Sequence, residues 1–223
     1  VLSLQWDFGT EGTYRTFRIG FTEPWLYNTP TSGGVDIYST KQNYTYEIEE
    51  TGFTLNIGRR LKFPDDYFSG DWFLKIQRTN TIHGAGLYET GVRNQVSIGQ
   101  IISRNSTNSP IFPSIGSRLT LMAEVAGGRI LGTINFYKLG FKSEAFKSLD
   151  NAGKIVLASL FDIESISSLA GDNYVPPNEL FFMGGGGLAY NTVSLRGYDD
   201  RTIGPQNKFR SPLGGRFLMK YSV

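Results

Sequence analysis

The sequence predicts an all-β fold in which antiparallel strands form a transmembrane barrel. Apolar and polar residues alternate along most of the 223-residue chain, and this period of two is typical of strands with two different faces. Several alternating segments approach the roughly 9 to 11 residues with which a tilted strand crosses a bilayer. Phe, Tyr and Trp make up 14% of the chain and concentrate near segment ends, as in the aromatic girdles of membrane barrels.

About ten strands are predicted in chain order from this alternation. In the first, Leu2, Leu4 and Trp6 share one face while Ser3 and Gln5 share the other. Two segments, 130–141 and 154–163, are less regular because they carry apolar residues on both faces. The other predicted strands centre on residues 16–22, 35–37, 53–57, 72–77, 92–98, 118–125 and 217–223.

Turn residues separate these segments, so neighbouring strands are expected to pair antiparallel. Gly127 and Gly128 predict a two-residue type I′ hairpin, because both central residues of that turn need positive φ. His83, which precedes Gly84 in a turn-like stretch, is predicted to be a solvated loop residue.

Alternation alone is compatible with two architectures. In a soluble sandwich the apolar faces meet in a core, whereas in a membrane barrel they face lipid and the polar faces line a lumen. Strand length, aromatic placement and the lack of any run of roughly 20 apolar residues favour the barrel. The sandwich, for example a soluble carbohydrate-binding domain, stays open as an alternative.

Composition argues against several classes of function. The net charge of +2 is too small and too evenly distributed to indicate nucleic-acid binding. With no cysteine and one histidine, the chain offers neither a thiolate nucleophile nor a histidine cluster for a metal. Gly184, Gly186 and Ala189 match a dinucleotide fingerprint, but no strand-turn-helix unit accompanies them. We therefore predict no cofactor, no metal and no enzymatic activity.

Four segments of the chain carry recognisable motifs: FTEPWL at residues 21–26, NELFFMGG at 178–185, NTVSLRGYDDRTIGP at 191–205 and SPLGGRFLMKYSV at 211–223. Together they resemble the BamA-like outer-membrane assembly factors. The central element is the turn Leu195-Arg196-Gly197-Tyr198, with Leu where the family most often has Val or Ile.

The resemblance implies that residues 1–223 are one partial barrel domain, covering about the third to the twelfth of sixteen strands, without periplasmic repeats or terminal strands. It also implies a long loop, 164–216, that folds into the lumen. There Arg196 would pair with acidic residues of the inner wall, since a guanidinium binds carboxylates in a planar fork. Supporting roles are expected for Gly184, Gly185, Ile203, Gly204 and Pro205.

The parity of the last strand extends this expectation. Lys220 and Ser222 should face the lumen, and so should the residue after Val223, a glutamate in the family pattern. We therefore expect Arg196 to lack its best carboxylate partner within this chain, and a close pair with Glu124 would contradict that expectation. Tyr198 is expected to pack against the wall.

As function, the resemblance implies folding and insertion of β-barrel proteins into the bacterial outer membrane. The implied partners are unfolded outer-membrane proteins, periplasmic chaperones, accessory lipoproteins and the lipid bilayer, without nucleic acid. A two-partner-type secretion pore or a passive channel of the same superfamily is the alternative.

Overall fold

The protein is described by a computed structural model that covers residues 1–8, 14–43, 47–83, 90–127, 132–150, 154–171, 174–186 and 192–223. Ten strands form one antiparallel sheet in chain order. They are β1 (Leu2–Phe8), β2 (Tyr14–Glu23), β3 (Thr31–Asn43), β4 (Glu47–Arg60), β5 (Phe68–His83), β6 (Gly91–Asn105), β7 (Gly116–Ala126), β8 (Phe136–Ser148), β9 (Val156–Ser168) and β12 (Phe217–Ser222).

The loop between β9 and β12 has some secondary structure of its own. It contains a 3-10 turn, Pro177–Glu179, and two short parallel strands, β10 (Phe182–Met183) and β11 (Thr192–Val193). A second 3-10 turn, Leu26–Asn28, joins β2 to β3. Among the described residues, no helix has the length and apolar character needed to cross a membrane.

The register of the sheet aligns apolar side chains on its outer face. Ile37 of β3 pairs with Ile19 of β2 and with Phe53 of β4, and Leu121 of β7 pairs with Phe141 of β8. These rows continue to the last strand, where Phe217, Met219 and Tyr221 are exposed while Leu218 is buried. The outer rows form the apolar band that a transmembrane barrel presents to lipid.

The sheet curves around the loop between β9 and β12. Asn178 bonds Glu50 of β4, while the adjacent Glu179 bonds Lys138 of β8. On a flat sheet these two strands would lie about 19 Å apart, four spacings of roughly 4.8 Å. Neighbouring residues contact both strands because the wall curls around them, so the strands form part of a barrel with an enclosed inner face.

The main apolar core lies inside this barrel. Loop residues pack there against inward side chains of β7, β8, β9, β12 and the segment before β8. The loop contributes Val175, Leu180, Phe181 and Phe182, and the wall contributes Ala126, Ile134, Phe136, Ile166 and Leu218. This arrangement explains why the predicted strand 130–141 carries apolar residues on both faces: one face meets lipid, while Ile134 and Phe136 meet the loop.

Three local predictions need correction. The two-residue hairpin at Gly127 and Gly128 is wrong, because β7 ends at Ala126 and β8 begins only at Phe136. Gly127 does have positive φ, at 74°, while Gly128 lies outside the described residues. His83 is the last residue of β5 rather than a turn residue, since the strand pairing extends to Glu47 of β4.

The third correction concerns the start of the long loop. β9 continues to Ser168, so the loop comprises residues 169–216 rather than 164–216. The polar residues Glu164 and Ser165 resemble loop residues in the sequence, but they pair with Leu218 and Phe217 of β12. In a barrel, polar side chains on one face of a strand are expected because they line the lumen.

Candidate functional site in the barrel lumen

Glu179 is the centre of a cluster of buried charges inside the barrel. Its side chain is 2% exposed, and its carboxylate lies between two lysines of the wall. Lys138 Nζ of β8 donates to Oε2 at 3.4 Å, and Lys75 Nζ of β5 lies 3.6 Å from Oε1. The loop is thus bound by charge to two strands that stand three positions apart in the sheet.

These lysines keep the carboxylate charged. Burial alone raises the pKa of the Glu179 carboxyl, but the ammonium groups of Lys75 and Lys138 outweigh burial and hold that pKa below its usual range. The buried Gln95 amide also favours the charged form from nearby, although neither of its polar atoms has a partner at hydrogen-bond distance among the described residues. Glu179 therefore binds the wall as an anion.

Further polar contacts connect this cluster to neighbouring strands. Lys75 also binds Glu124 Oε1 of β7 at 3.1 Å, and Ser97 Oγ of β6 donates to the same oxygen at 2.6 Å. Asn178 donates to Glu50 Oε1 of β4 at 2.9 Å. The resulting network joins the 3-10 turn of the loop to strands β4, β5, β7 and β8.

The predicted motif forms a turn that Gly185 closes from both ends. Leu195 N donates to Gly185 O at 3.1 Å, and Gly185 N donates to Tyr198 O at 2.9 Å. Arg196 and Gly197 lie between these two bonds, and Gly197 has a φ of 85°. The predicted residues 195–198 are therefore held in one turn by the backbone of Gly185, which is also a predicted site residue.

Gly184 and Gly185 allow the two arms of the loop to approach each other. A Cβ atom on Gly184 would lie 2.2 Å from Asp199 O, and one on Gly185 would lie 1.8 Å from Asp200 Oδ1. Both glycines also have positive φ, 135° and 57°. Glycine at positions 184 and 185 thus permits a close approach between the two arms of the loop.

The later part of the motif attaches to the same arm. Ile203 N donates to Met183 O at 3.2 Å, and the Arg201 guanidinium stacks 4.4 Å above the Phe182 ring. Pro205 O accepts a hydrogen bond from Leu213 N at 2.9 Å, which folds the returning chain back toward β12. Gly204, which lies between Ile203 and Pro205, has a φ of 122°.

Arg196 itself is exposed, and among the described residues no carboxylate oxygen lies within 4.0 Å of its guanidinium. Glu124 binds Lys75 instead. The identity of an acidic partner for Arg196 stays a prediction. Tyr198 is 53% exposed, so its ring is not packed against the wall as expected; the turn holds this residue through its carbonyl oxygen.

The parity prediction for the last strand is confirmed for Lys220, whereas the inward glutamate expected after Val223 stays a prediction. Phe217, Met219 and Tyr221 face outward, and Lys220 on the other face donates from Nζ to Ser194 O at 2.6 Å. This bond joins β12 to the residue just before the motif turn. The loop therefore has a second polar attachment to the wall through Ser194, besides the contacts that Asn178 and Glu179 make.

Sequence reasoning missed Glu179 and its partners. Lys75, Glu124 and Lys138 were each visible as polar residues on inward-facing positions, but alternation gives only the face of a strand and not the distance to a loop. The informative signal was a glutamate between Pro177 and two phenylalanines, because a charge in an otherwise apolar loop segment requires a partner if the segment is buried.

The chemistry of this cluster is that of structural ion pairing. Among the described residues, no group of three or more histidine, cysteine, aspartate or glutamate side chains is placed to hold a metal ion. Two lysines opposite one carboxylate, with further carboxylates on the wall, can hold a polypeptide segment in place.

Comparisons with known proteins agree with the barrel fold. Residues 2–223 match the Omp85 superfamily domain. A search of curated proteins gave no match. The fold is similar to the crystal structure of BamA from Haemophilus ducreyi lacking POTRA domains 1–3, with a TM-score of 0.81 at 18% identity over 98% of this chain. The chain spans 45% of the length of that structure. With a ten-stranded barrel wall and a family match over nearly its whole length, the chain belongs to the Omp85 superfamily.

Proposed function

We propose that the protein folds and inserts β-barrel proteins into the bacterial outer membrane, without covalent catalysis. The observation that carries this proposal is a membrane-barrel wall of the Omp85 superfamily whose long loop returns inside and presents the turn Leu195-Arg196-Gly197-Tyr198. The partners would be unfolded outer-membrane proteins together with periplasmic chaperones, accessory lipoproteins and the bilayer. Residues 1–223 would supply a partial barrel domain with its inward-folding loop.

The physical problem that such a protein solves is the unpaired strand edge. Each backbone group left without a hydrogen bond in hydrocarbon costs several kcal/mol, so a client barrel cannot insert strand by strand unaided. A barrel that opens between its first and last strands offers a client its own edge, by the strand addition seen in other recognition modes. A rigid wall is required for this role, because the rest of the barrel must stay closed.

In this proposal Arg196 completes the attachment of the loop. The guanidinium would bind a carboxylate on the inner wall, and the position after Ser222 and Val223 is a glutamate in the family pattern. Lys220 faces inward and holds Ser194, so a glutamate four residues further along would share the inner face of that strand. Ile203, Gly204 and Pro205 would support the turn from the returning arm.

Depletion of the full-length protein in its host tests the proposed function. We expect a general loss of folded outer-membrane proteins, measured by quantitative proteomics of outer-membrane fractions. Loss of a single exported protein with normal levels of the others would instead identify the two-partner-type secretion pore. Unchanged levels of all of them, with altered uptake of small solutes, would identify a passive channel.

A further inference from the structure

Among the described residues, the ion pairs between the loop and the wall converge on one residue. Glu179 is bound by Lys138 at 3.4 Å and approached by Lys75 at 3.6 Å, and all three side chains are largely buried. Next to it, Lys138 Nζ also lies 5.0 Å from the centre of the Phe181 ring. Lys138 thus contacts two groups of the loop, the carboxylate of Glu179 and the face of the Phe181 ring.

A continuous set of backbone bonds leads from Glu179 to the motif turn. Phe181 exchanges two hydrogen bonds with Gly215, at 2.9 and 2.8 Å, which fixes the chain beside the start of β12. Gly184 N then donates to Val193 O at 3.0 Å, and Gly185 holds both ends of the turn around Arg196. A displacement of Glu179 is therefore transmitted to Arg196 through backbone that is bonded at nearly every step.

The second attachment of the loop is weaker. Lys220 reaches Ser194 O at 2.6 Å, but this bond is exposed to solvent. An exposed contact is screened and contributes less than a buried one between charged groups. The position of the turn consequently depends mainly on the buried end of the loop.

We propose that Glu179 is the positioning residue of the Arg196 turn: its negative charge, held between Lys75 and Lys138, keeps the loop inside the barrel and thereby places Arg196. The importance of Arg196 rests on the function proposed above, whereas the anchoring of the loop does not. Glu179 acts through the loop and touches no client.

Thiol labelling of the full-length protein tests this anchor. A cysteine replaces Val175, which is 6% exposed, nearly equal in size to cysteine and part of the same buried segment. The rate of its reaction with a maleimide reports the fraction of molecules in which the loop has left the lumen. We expect slow labelling of V175C, and an increase of about a hundredfold when E179Q is added, because Lys138 then loses the carboxylate it faces and Lys75 keeps only Glu124.

A double-mutant cycle separates charge from packing. K138M alone should also accelerate labelling, but the combination E179Q/K138M should be slower to label than the product of the two single effects predicts. Glu179 and Lys138 would then be shown to act on each other. Independent, multiplicative effects would overturn the proposal, because the charge pair would not be what holds the loop.

The matched control is Asp162, another inward carboxylate with a lysine partner. Asp162 is 2% exposed and binds Lys142 Nζ of β8 at 3.1 Å, within the wall and without a loop contact at hydrogen-bond distance among the described residues. D162N should leave labelling of V175C within about twofold of the parent. Equal acceleration by D162N and E179Q would also overturn the proposal.

The outcome is independent of the proposed function. Labelling and its coupling are measured on the purified, folded barrel, whose integrity is checked by its shifted mobility in unheated gels. If E179Q releases the loop while client assembly proves not to be the activity, the anchor stands and the proposed function fails. If E179Q leaves the loop in place while depletion abolishes assembly, the proposed function stands and the anchor fails.

Discussion

At the scale of single residues, the inner surface of this barrel contains charges that are buried together. Glu50, Glu124 and Glu179 share the lumen with Lys75 and Lys138, and each lysine has at least one carboxylate within 4.0 Å. Removing one member of such a buried pair typically costs about 3 to 5 kcal/mol, because its partner is left charged in a poorly solvated place. Burial and pairing therefore make these residues sensitive to substitution.

The anchor should fail only in strong acid. The pKa of Glu179 in the folded protein lies below the value of about 4.3 in an unfolded chain. A lowered folded pKa means that the stabilisation is complete above the ordinary value and is lost as the pH falls through the lowered one. We expect V175C to react with a pyridyl disulfide slowly at neutral pH and rapidly only below the usual carboxyl range.

E179Q provides the comparison for this pH dependence. Glu50, Glu124, Lys75 and Lys138 also face this region, from strands β4, β7, β5 and β8. If Glu179 is the group responsible, the acid transition should be absent from E179Q, which labels rapidly at every pH. An acid transition of equal size in E179Q would assign it to other carboxylates.

Arg196→Ala in the full-length protein should weaken the loop attachment and impair outer-membrane assembly. The reason is that an inner-wall carboxylate would be left unpaired in a poorly solvated site. Heat-modifiability of the barrel and growth of a strain that depends on the variant measure the effect. Normal growth together with unchanged heat-modifiability would contradict the proposed lock.

At the scale of elements, the long loop behaves as two arms that cross at Gly184. The first arm carries Glu179 and β10, and the second carries β11 and the residues after the turn. At Gly184 the arms meet through backbone atoms, because Gly184 N bonds Val193 O and its α-carbon faces Asp199 O. Any side chain at this point separates them.

Gly184→Ala should therefore destabilise the loop by more than about 2 kcal/mol, since it combines a backbone clash with a φ of 135° that alanine rarely adopts. Protection of the loop from proteolysis is the measurement. Gly140→Ala serves as the control, because a Cβ there meets only ordinary contacts at 3.6 Å and the residue has no positive φ. Equal protease sensitivity of the two variants would contradict the crossing.

At the scale of the whole molecule, the two faces of the wall have opposite requirements. Ile98 lies on the outer face of β6, 57% exposed, and pairs with Leu74 and Val125. Ser103 of the same strand shares the inner face with the buried Gln95 and Ser97. A charge is tolerated on the inner face and costly on the outer one, because only the outer one contacts hydrocarbon.

We expect Ile98→Lys to lower the free energy of unfolding in lipid vesicles by about 2 to 4 kcal/mol, the cost of a lysine near the bilayer midplane. Ser103→Lys should stay close to the parent protein. Urea titration of the full-length protein in vesicles measures both. If the lysine at position 103 costs more than the one at 98, the assignment of inside and outside is reversed.

The alternation of the sequence was sufficient to predict the strands and their faces. Period two persists in the wall strands because each has one lipid face and one inner face, so the alternation of Met219, Lys220 and Tyr221 already separated the two sides. Predictions failed where an inward face was apolar, as at Phe136, or where a strand end was polar, as at Glu164. Both exceptions depend on contacts with distant residues.

The sequence by itself determined the class of fold, the antiparallel order and the turn around Arg196, because strand faces and glycine turns are local properties of a chain. Only the tertiary structure decided what fills the barrel. Glu179 meets Lys75 and Lys138 across more than forty positions of sequence, and such a meeting exists only once the sheet has curled around the loop. The physical reason is that a buried charge needs a partner of opposite charge close to it in space, and the spacing of residues along the chain does not determine the distance between them.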